Sequence, residues 1–265
     1  MEITNYLTEC IDNKTPVSFS KYGDREYNCC TNINNKYDNN YNRDNDRMTL
    51  KLKNDLIESF KYIVNETDNG FIGLWYDNYN ITFWKSIVNK EINFAKYHTI
   101  INFFWKETEQ ETNNKVKLLK SIKKSKLKKI IVCNELLIKS TILLNIDIMV
   151  TVPLNNWFDT KLESMIEFLK KNIKEDEQHI IITCCGMGAK VLIAKLHKLF
   201  PNNIYLDFGS AIDEICTKRN TRDYLNHYEG YVEIYKDLIP DNWNDSKYDY
   251  IYDIARNDLG THLPK

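Results

Sequence analysis

Glycine and proline are scarce in this chain of 265 residues, which has only 8 and 5 of them respectively. Because both residues mark turns, each one that occurs is informative about its position. No run approaches the roughly 18 consecutive apolar residues of a membrane span. The amino-terminal segment MEITNYLTECIDNK also lacks a basic region followed by an apolar stretch. We therefore expect neither a signal peptide nor a membrane-spanning helix, and a soluble, cytoplasmic protein.

An excess of charge is lacking too, since 36 basic and 37 acidic residues leave a formal net charge of -1. This balance gives no general reason to expect binding to nucleic acid or acidic lipid. The 7 cysteines include no CxxC pair, which argues against a zinc knuckle and favours reduced, mostly buried thiols. The absence of GxSxG and HExxH argues against common hydrolase and metalloprotease sites.

Short apolar strands alternate with helical patterns from about residue 115 onwards. The predicted strands are IIVC, IDIMVTVP, HIIITCC and NIYLDFG. This alternation is typical of a mainly parallel α/β sheet flanked by helices. Upstream, PVSFSKYG and FIGLWY predict strands, and MTLKLKNDLIESFKYIV predicts a helix. We predict one domain over residues 1–235, with a surface loop at 28–47 and a tail over 236–265 packed on its outside.

Two carboxylates, Asp24 and Glu26, directly follow a predicted strand and Gly23. In extended backbone, residues two positions apart point to the same side, so the pair would hold one hard divalent cation. Lys21 and Arg25 add positive charge suited to a diphosphate, and Gly23 permits a ligand to approach the backbone closely. By spacing alone a solvated turn is the commoner explanation.

A glycine-containing loop, CCGMGAK, lies between a predicted strand and a predicted helix and includes Gly186 and Gly188. Backbone N–H groups at such a helix N-terminus favour anions. The loop lacks the Walker A spacing, and Val191 stands in place of the third glycine of GxGxxG. A phosphate or ribose contact and a tight turn that needs small residues explain the loop equally well.

The segment DFGSAID, from Asp207 to Asp213, ends the next predicted strand and includes Ser210. Ligands of open α/β sheets bind beyond the carboxyl ends of the strands, and Asp207 follows the glycine loop at about the distance of a Rossmann acid that binds a ribose hydroxyl. Considered alone, this segment also fits a protein that binds NAD or S-adenosylmethionine. An acid that caps a turn is the structural alternative.

The remaining candidates are weaker. His98 lies in an aromatic segment predicted to be helical, while His179, His197 and His227 are expected at the surface, without metal-ligand spacing. The lysine-rich run over residues 115–129 meets an acidic substrate or forms a solvated helix face.

In their order and spacing, these segments resemble the GT-D-type glycosyltransferases, a family with a Rossmann-like fold and an amino-terminal motif close to R-x-G-D-G-E. The motif here reads KYGDRE, with Lys21 in place of the arginine and Arg25 in place of the second glycine. VPLNNW (152–157) resembles a family segment near the donor pocket, DFGSAID resembles the family's DiGsalD, and RDY (222–224) follows at a familiar distance. The resemblance spans roughly residues 17–224.

The resemblance implies a metal-dependent glycosyltransferase that moves a sugar from a nucleotide-sugar donor, expected to be a UDP-sugar, to a hydroxyl of a glycan or another acceptor. It implies Mn²⁺ or Mg²⁺ held by Asp24 and Glu26, with the glycine loop and Asp207 on the donor phosphate or ribose. The acceptor hydroxyl needs a general base. The candidates for this base are Asp213, Glu135, Asp207 and His98. Two alternatives stay open: a Rossmann-type methyltransferase or dehydrogenase, and a non-catalytic nucleotide-sugar-binding module.

Overall fold

An eight-stranded sheet with helices on both faces organises the chain in the computed structural model. The structure describes residues 3–38, 40–42, 46–75, 78–88, 97–99, 109–217, 235–244 and 261–262. The strands are β1 (Val17–Tyr22), β2 (Asn40–Tyr41), β3 (Arg47–Met48), β4 (Gly70–Leu74), β5 (Tyr97–Thr99), β6 (Lys128–Cys133), β7 (Ile148–Thr151), β8 (His179–Cys184), β9 (Ile204–Asp207) and β10 (Thr261–His262).

The helices are α1 (Ile3–Asp12), α2 (Asp24–Asn32), α3 (Leu50–Glu66), α4 (Asn78–Ser86), α5 (Glu109–Lys124), α6 (Ser140–Leu144), α7 (Trp157–Asn172), α8 (Gly188–Leu199) and α9 (Asp213–Thr217). Single 3₁₀ turns lie at Glu135–Leu137 and Asp241–Asn244. None of the helices in the described ranges is long and apolar enough to cross a membrane.

The strand order is β10-β7-β6-β8-β9-β1-β4-β5, and β2 pairs with β3 in a separate hairpin. Every neighbour from β7 to β5 pairs in parallel, whereas β10 pairs antiparallel with β7. The predicted α/β fold with a mainly parallel sheet is therefore confirmed. β1, β4 and β5 form one side of the sheet, β6, β7 and β10 form the other, and β8 and β9 lie between them. The carboxyl ends of β8, β9 and β1 meet at one edge, where open α/β sheets bind ligands.

The core has two layers because successive side chains of a strand point to opposite faces of the sheet. Ile130 and Val132 pack with the layer that contains α3, α7 and α8, whereas Ile131 and Cys133 pack with the layer that contains α1 and α5. Continuous apolar strands such as β6 are the pattern expected for a sheet covered on both sides. All seven cysteines are free and buried, as predicted.

Several local predictions need correction. The predicted loop over residues 28–47 begins inside α2 and ends in the β2–β3 hairpin. Residues 261–262 of the predicted tail form the edge strand β10, and the packing of the tail on the outside of the domain stays a prediction. His98 lies in β5, not in a helix. His179 and His197 are buried rather than at the surface, while His227 lies outside the described residues. The predicted division of the chain at residue 235 stays a prediction.

Candidate functional site

Three connections converge near the centre of the sheet, at the edge formed by the carboxyl ends of its strands. β1 leads through Gly23 into α2, β8 leads through Gly186 into α8, and β9 ends at Asp207. Because β9 pairs with both β8 and β1, the amino-terminal ends of α2 and α8 lie on either side of Asp207. The positive ends of two helix dipoles therefore lie at one edge of the sheet, an arrangement that favours an anion.

The side chain of Lys190 links these connections. Its Nζ lies 2.8 Å from Glu26 Oε1 and 3.2 Å from Asp207 Oδ2, and it donates to the carbonyl oxygen of Gly186 at 3.1 Å. Lys21 joins them from β1, since its backbone N–H donates to Asp207 Oδ2 at 2.9 Å and its Nζ donates to the carbonyl oxygen of Phe208. We call Lys21, Glu26, Lys190 and Asp207 the buried charge cluster.

The buried charge cluster pairs two amines with two carboxylates and is almost closed to solvent. Each of its four side chains is 5% exposed or less. Burial, only partly offset by Asp207, lowers the pKa of Lys21 to about 7. Burial would also lower the pKa of Lys190, but the carboxylates of Asp207 and Glu26 outweigh it and hold that pKa above the ordinary value. Burial would raise the pKa of Glu26, and its ion pair with Lys190 more than reverses this.

Lys190 was not among the predicted site residues. The available signal was its position directly before the apolar run VLIA (191–194), because a lysine on a buried helix face is rare unless it is paired. Only the tertiary structure identifies its partners, which come from α2 and β9.

The prediction of a shared metal site assumed that Asp24 and Glu26 lie in extended backbone, and this assumption is wrong. They occupy the first turn of α2, where residues two positions apart do not face each other. Asp24 is exposed, whereas Glu26 is buried, and Glu26 Oε2 accepts the N–H of Gly23 at 2.7 Å while Oε1 binds Lys190. The two residues therefore do not fit a shared chelate of one cation.

A cation held by Asp24 together with a ligand's phosphates fits the exposed carboxylate, since Mg²⁺ commonly uses one or two carboxylates plus phosphate oxygens. Within the described ranges, no group of three or more His, Cys, Asp or Glu side chains is arranged to hold a metal ion. Arg25 is half-buried beside Asp24 and acts electrostatically on Asp46.

Asp207 needs a correction as well. It is fully buried, and its oxygens accept the N–H groups of Lys21 and Gly209 and bind Lys190. A ribose contact requires an exposed oxygen, so this arrangement gives Asp207 the role of positioning Lys21 and Lys190. Ser210 and Asp213 follow at the same edge and are half-buried.

The structure requires glycine at both positions of the loop, but for different reasons. Gly186 has a φ of 68°, a left-handed conformation that glycine adopts without cost. Gly188 allows α8 to approach α7, because a Cβ there would lie 2.6 Å from Trp157 Cζ2 and 2.9 Å from Phe158 Cδ2. Trp157 Nε1 also donates to the carbonyl oxygen of Cys185 at 2.7 Å. The segment 152–157 thus packs directly against the glycine loop.

Asp46, directly before β3, is a further carboxylate at the site that was not among the predicted residues. Its Oδ1 accepts the N–H of Asn156 at 2.8 Å, and Asn156 Oδ1 accepts the N–H of Arg47 at 2.7 Å. Its Oδ2 lies 3.1 Å from the position that a Cβ on Gly186 would occupy. Burial raises the pKa of Asp46. The β2–β3 hairpin therefore brings a further carboxylate over the glycine loop, although the hairpin's sequence has no aliphatic pattern to announce it.

Two of the predicted general bases, Asp213 and Glu135, lie in elements that pack against each other. Asp213 begins α9 and Glu135 begins the 3₁₀ turn that packs against α9. Both side chains are half-buried. His98 is far from them in sequence and lies in β5, the edge strand at the opposite end of the sheet from β7. The predicted segment 222–224 lies outside the described residues.

Comparison with known proteins bears on the fold. No family model matches the chain, and no curated protein matches it. Among solved structures, the chain is similar to the highly conserved domain of unknown function 1792, which is described as having a distinct glycosyltransferase fold. The TM-score is 0.53 and the sequence identity is 14%, with 89% of this chain and 88% of that chain covered. The chain therefore has a glycosyltransferase-like fold of the Rossmann type.

Proposed function

We propose that this protein is a glycosyltransferase that transfers a sugar from a nucleotide-sugar donor to a hydroxyl acceptor. The observation that carries the proposal is the buried charge cluster at the point where β1, β8 and β9 end in a glycosyltransferase-like fold. A UDP-sugar is the proposed donor, and a glycan or another hydroxyl compound is the proposed acceptor.

The donor diphosphate would lie at the amino-terminal ends of α2 and α8. Unpaired N–H groups and the helix dipoles favour an anion there. Arg25, in the first turn of α2, adds a positive side chain at this end. Gly186 presents a bend of backbone without a side chain, which allows a phosphate to approach closely.

The buried charge cluster would act as the support beneath the diphosphate. Lys190 ties α2 to α8 and β9, so the two helix ends keep a fixed separation before a donor binds. Such preorganisation of groups that face developing charge is a major source of catalytic rate. Lys190, Glu26 and Asp207 would therefore be positioning residues, because Lys190 is buried in ion pairs with both carboxylates.

Metal dependence is part of the proposal, with Mn²⁺ or Mg²⁺ as the cation. Asp24 is the residue that would contact it, because its carboxylate is exposed in the first turn of α2. When bound, such a cation supplies neutralisation of charge on the leaving nucleoside diphosphate. Asp213 is the proposed general base, with Glu135 as the neighbouring alternative.

A second candidate is a nucleotide-sugar-binding module without turnover. The observation that favours it is the engagement of Glu26, whose two oxygens are already occupied by Lys190 and the Gly23 N–H. This candidate predicts nucleotide binding with no release of nucleoside diphosphate.

The decisive experiment measures nucleoside diphosphate release from a panel of nucleotide sugars, each in Mn²⁺, in Mg²⁺ and in chelator. Asp24→Ala is the test variant, and Asp68→Ala is the matched control because Asp68 is an exposed aspartate just before β4, at the opposite edge of the sheet. We expect release from one donor that depends on metal, falls at least tenfold in Asp24→Ala and is unchanged in Asp68→Ala.

Nucleotide binding by calorimetry separates the alternatives. Binding of a nucleoside diphosphate without release from any donor, with acceptors supplied, would favour the non-catalytic module. Binding of NAD or S-adenosylmethionine in place of nucleotide sugars would refute the proposal in favour of a dehydrogenase or methyltransferase.

A further inference from the structure

A groove lined by lysines lies at the amino-terminal ends of β6 and β7, whereas the candidate site lies at the carboxyl ends of the strands. It is formed by the carboxyl-terminal end of α5, the connection to β6, the turn before β7 and residues 237–238, and it has a volume of about 810 Å³. We call it the lysine groove. Its lysines are Lys120, Lys123, Lys124, Lys126, Lys128 and Lys129.

The positive charge of the lysine groove exceeds what the fold needs. The six lysines are accompanied by two aspartates, Asp147 and Asp237, an excess of four positive charges. Basic residues are common at a helix carboxyl terminus because they complement its dipole, but that dipole corresponds to only about half an elementary charge. Since the whole chain has a formal net charge of -1, this concentration is local.

The two aspartates are already engaged by the groove's own residues. Asp237 Oδ2 binds Lys120 Nζ at 2.5 Å, and Asp147 Oδ2 accepts the backbone N–H of Lys129 at 2.7 Å. The amines of Lys123 and Lys129 donate to backbone carbonyl oxygens, those of Leu238 and Ser125.

The remaining three lysines, Lys124, Lys126 and Lys128, make no ion pair with a carboxylate anywhere in the described part of the chain. Lys124 and Lys126 are exposed, and Lys128 is half-buried. Glu177 interacts electrostatically with Lys128, but its carboxylate is bound to Lys174 at 2.6 Å.

Burial and neighbouring charge make it less favourable for two of the groove's amines to stay protonated. Burial lowers the pKa of Lys129, and the neighbouring charge of Lys126 lowers it further against the opposing effect of Asp147. Burial lowers the pKa of Lys123 as well. An anion in the groove would reverse this cost, because opposite charge favours the protonated amines.

We propose that the lysine groove binds a compact polyvalent anion of the phosphate class, at a site separate from the proposed donor site. Its concave shape suits a small ligand better than a flat membrane surface, and an ammonium group binds phosphate as a point charge. The groove's short extent and lack of arginine do not match the long basic stripe that tracks a nucleic-acid backbone.

The test is calorimetric titration with inorganic tripolyphosphate at low salt. The test variant carries Lys124→Gln, Lys126→Gln and Lys128→Gln, and the control variant carries Lys14→Gln, Lys161→Gln and Lys171→Gln, three lysines outside the groove. Both variants change the net charge equally, and thermal melts check that both fold. We expect tripolyphosphate affinity to fall at least tenfold in the groove variant and less than twofold in the control.

A second readout locates the anion independently of the donor site. Bound tripolyphosphate should protect Lys124, Lys126 and Lys128 from amine acetylation, measured by mass spectrometry, and leave Lys161 and Lys171 unprotected. Equal affinity losses in the two variants, or no protection in the groove, would overturn the proposal. Binding to phosphatidylserine vesicles with no binding of tripolyphosphate would overturn it too, because it would assign the charge to a membrane surface.

Discussion

Replacing Lys190 with methionine tests whether the buried charge cluster holds the central edge of the sheet together. Methionine keeps an unbranched side chain of similar length but removes the charge, leaving Glu26 and Asp207 buried with only Lys21 to balance them. Removing one partner of a buried ion pair costs about 3–5 kcal/mol, because the remaining charge has no compensation. For a domain of this size that corresponds to a fall in Tm of roughly 6–20 °C.

The measurement is urea unfolding and a thermal melt, with Lys195→Met as the control. Lys195 lies on the same helix, and its ion pair with Glu163, at 3.6 Å, is largely exposed, so its loss should cost about 0–1 kcal/mol. A double variant, Glu26→Gln with Lys190→Met, should be more stable than the sum of the two single losses predicts, because both members of the pair are then neutral.

The stability difference between Lys190→Met and the wild type should depend on pH in a definite direction. In the wild type the pKa of Glu26 is lowered, so its contribution to stability is present above the ordinary glutamate pKa and is lost as pH falls through the lowered value. Without Lys190, burial raises that pKa, and protonation relieves the uncompensated charge. The deficit of Lys190→Met relative to the wild type should therefore shrink from about pH 8 to about pH 5. A deficit no larger than that of Lys195→Met at about pH 8 would refute the reasoning.

Three further predictions concern the same edge of the sheet. Gly188→Ala should destabilise the protein by about 1–3 kcal/mol in urea unfolding, because its Cβ would overlap the Trp157 ring; an unchanged midpoint would contradict this. Gly186→Ala should cost about 1–2 kcal/mol because its φ of 68° is left-handed, and an increase in stability would show that the turn relaxes. Wild-type stability should rise relative to Lys21→Met between about pH 7 and pH 10, since the folded pKa of Lys21, about 7, lies below the unfolded value; parallel profiles would show that Lys21 is not desolvated.

Local patterns were sufficient to predict most of the elements. The helical spacing of residues 50–66 and the apolar runs of β6, β7, β8 and β9 depend on neighbours within one element. The end of α5 was less predictable, because the lysine-rich pattern continues to Lys129 although the helix ends at Lys124 and β6 begins at Lys128. Lysine suits an exposed helix and a strand end alike.

The least predictable elements were those whose stability comes from distant partners. Residues 40–48 have almost no aliphatic side chains, and their hairpin is held by Asp46 and Arg47 against Asn156. Strand β10 has two residues and pairs with β7, more than 100 positions earlier. Neither pairing leaves a periodic pattern in its own segment.

The sequence by itself determined the class of fold, the reduced and buried cysteines, and the three segments that meet at the edge of the sheet, because each depends on composition or local periodicity. Only the tertiary structure decided what the charged residues of those segments do. It placed Asp24 and Glu26 in a helical turn, and it joined Glu26 and Asp207 to a lysine that is distant from Glu26 in the sequence. The physical reason is that a buried charge must be paired with an opposite charge. The order of the strands in the sheet, rather than spacing in the sequence, decides which opposite charge lies close enough.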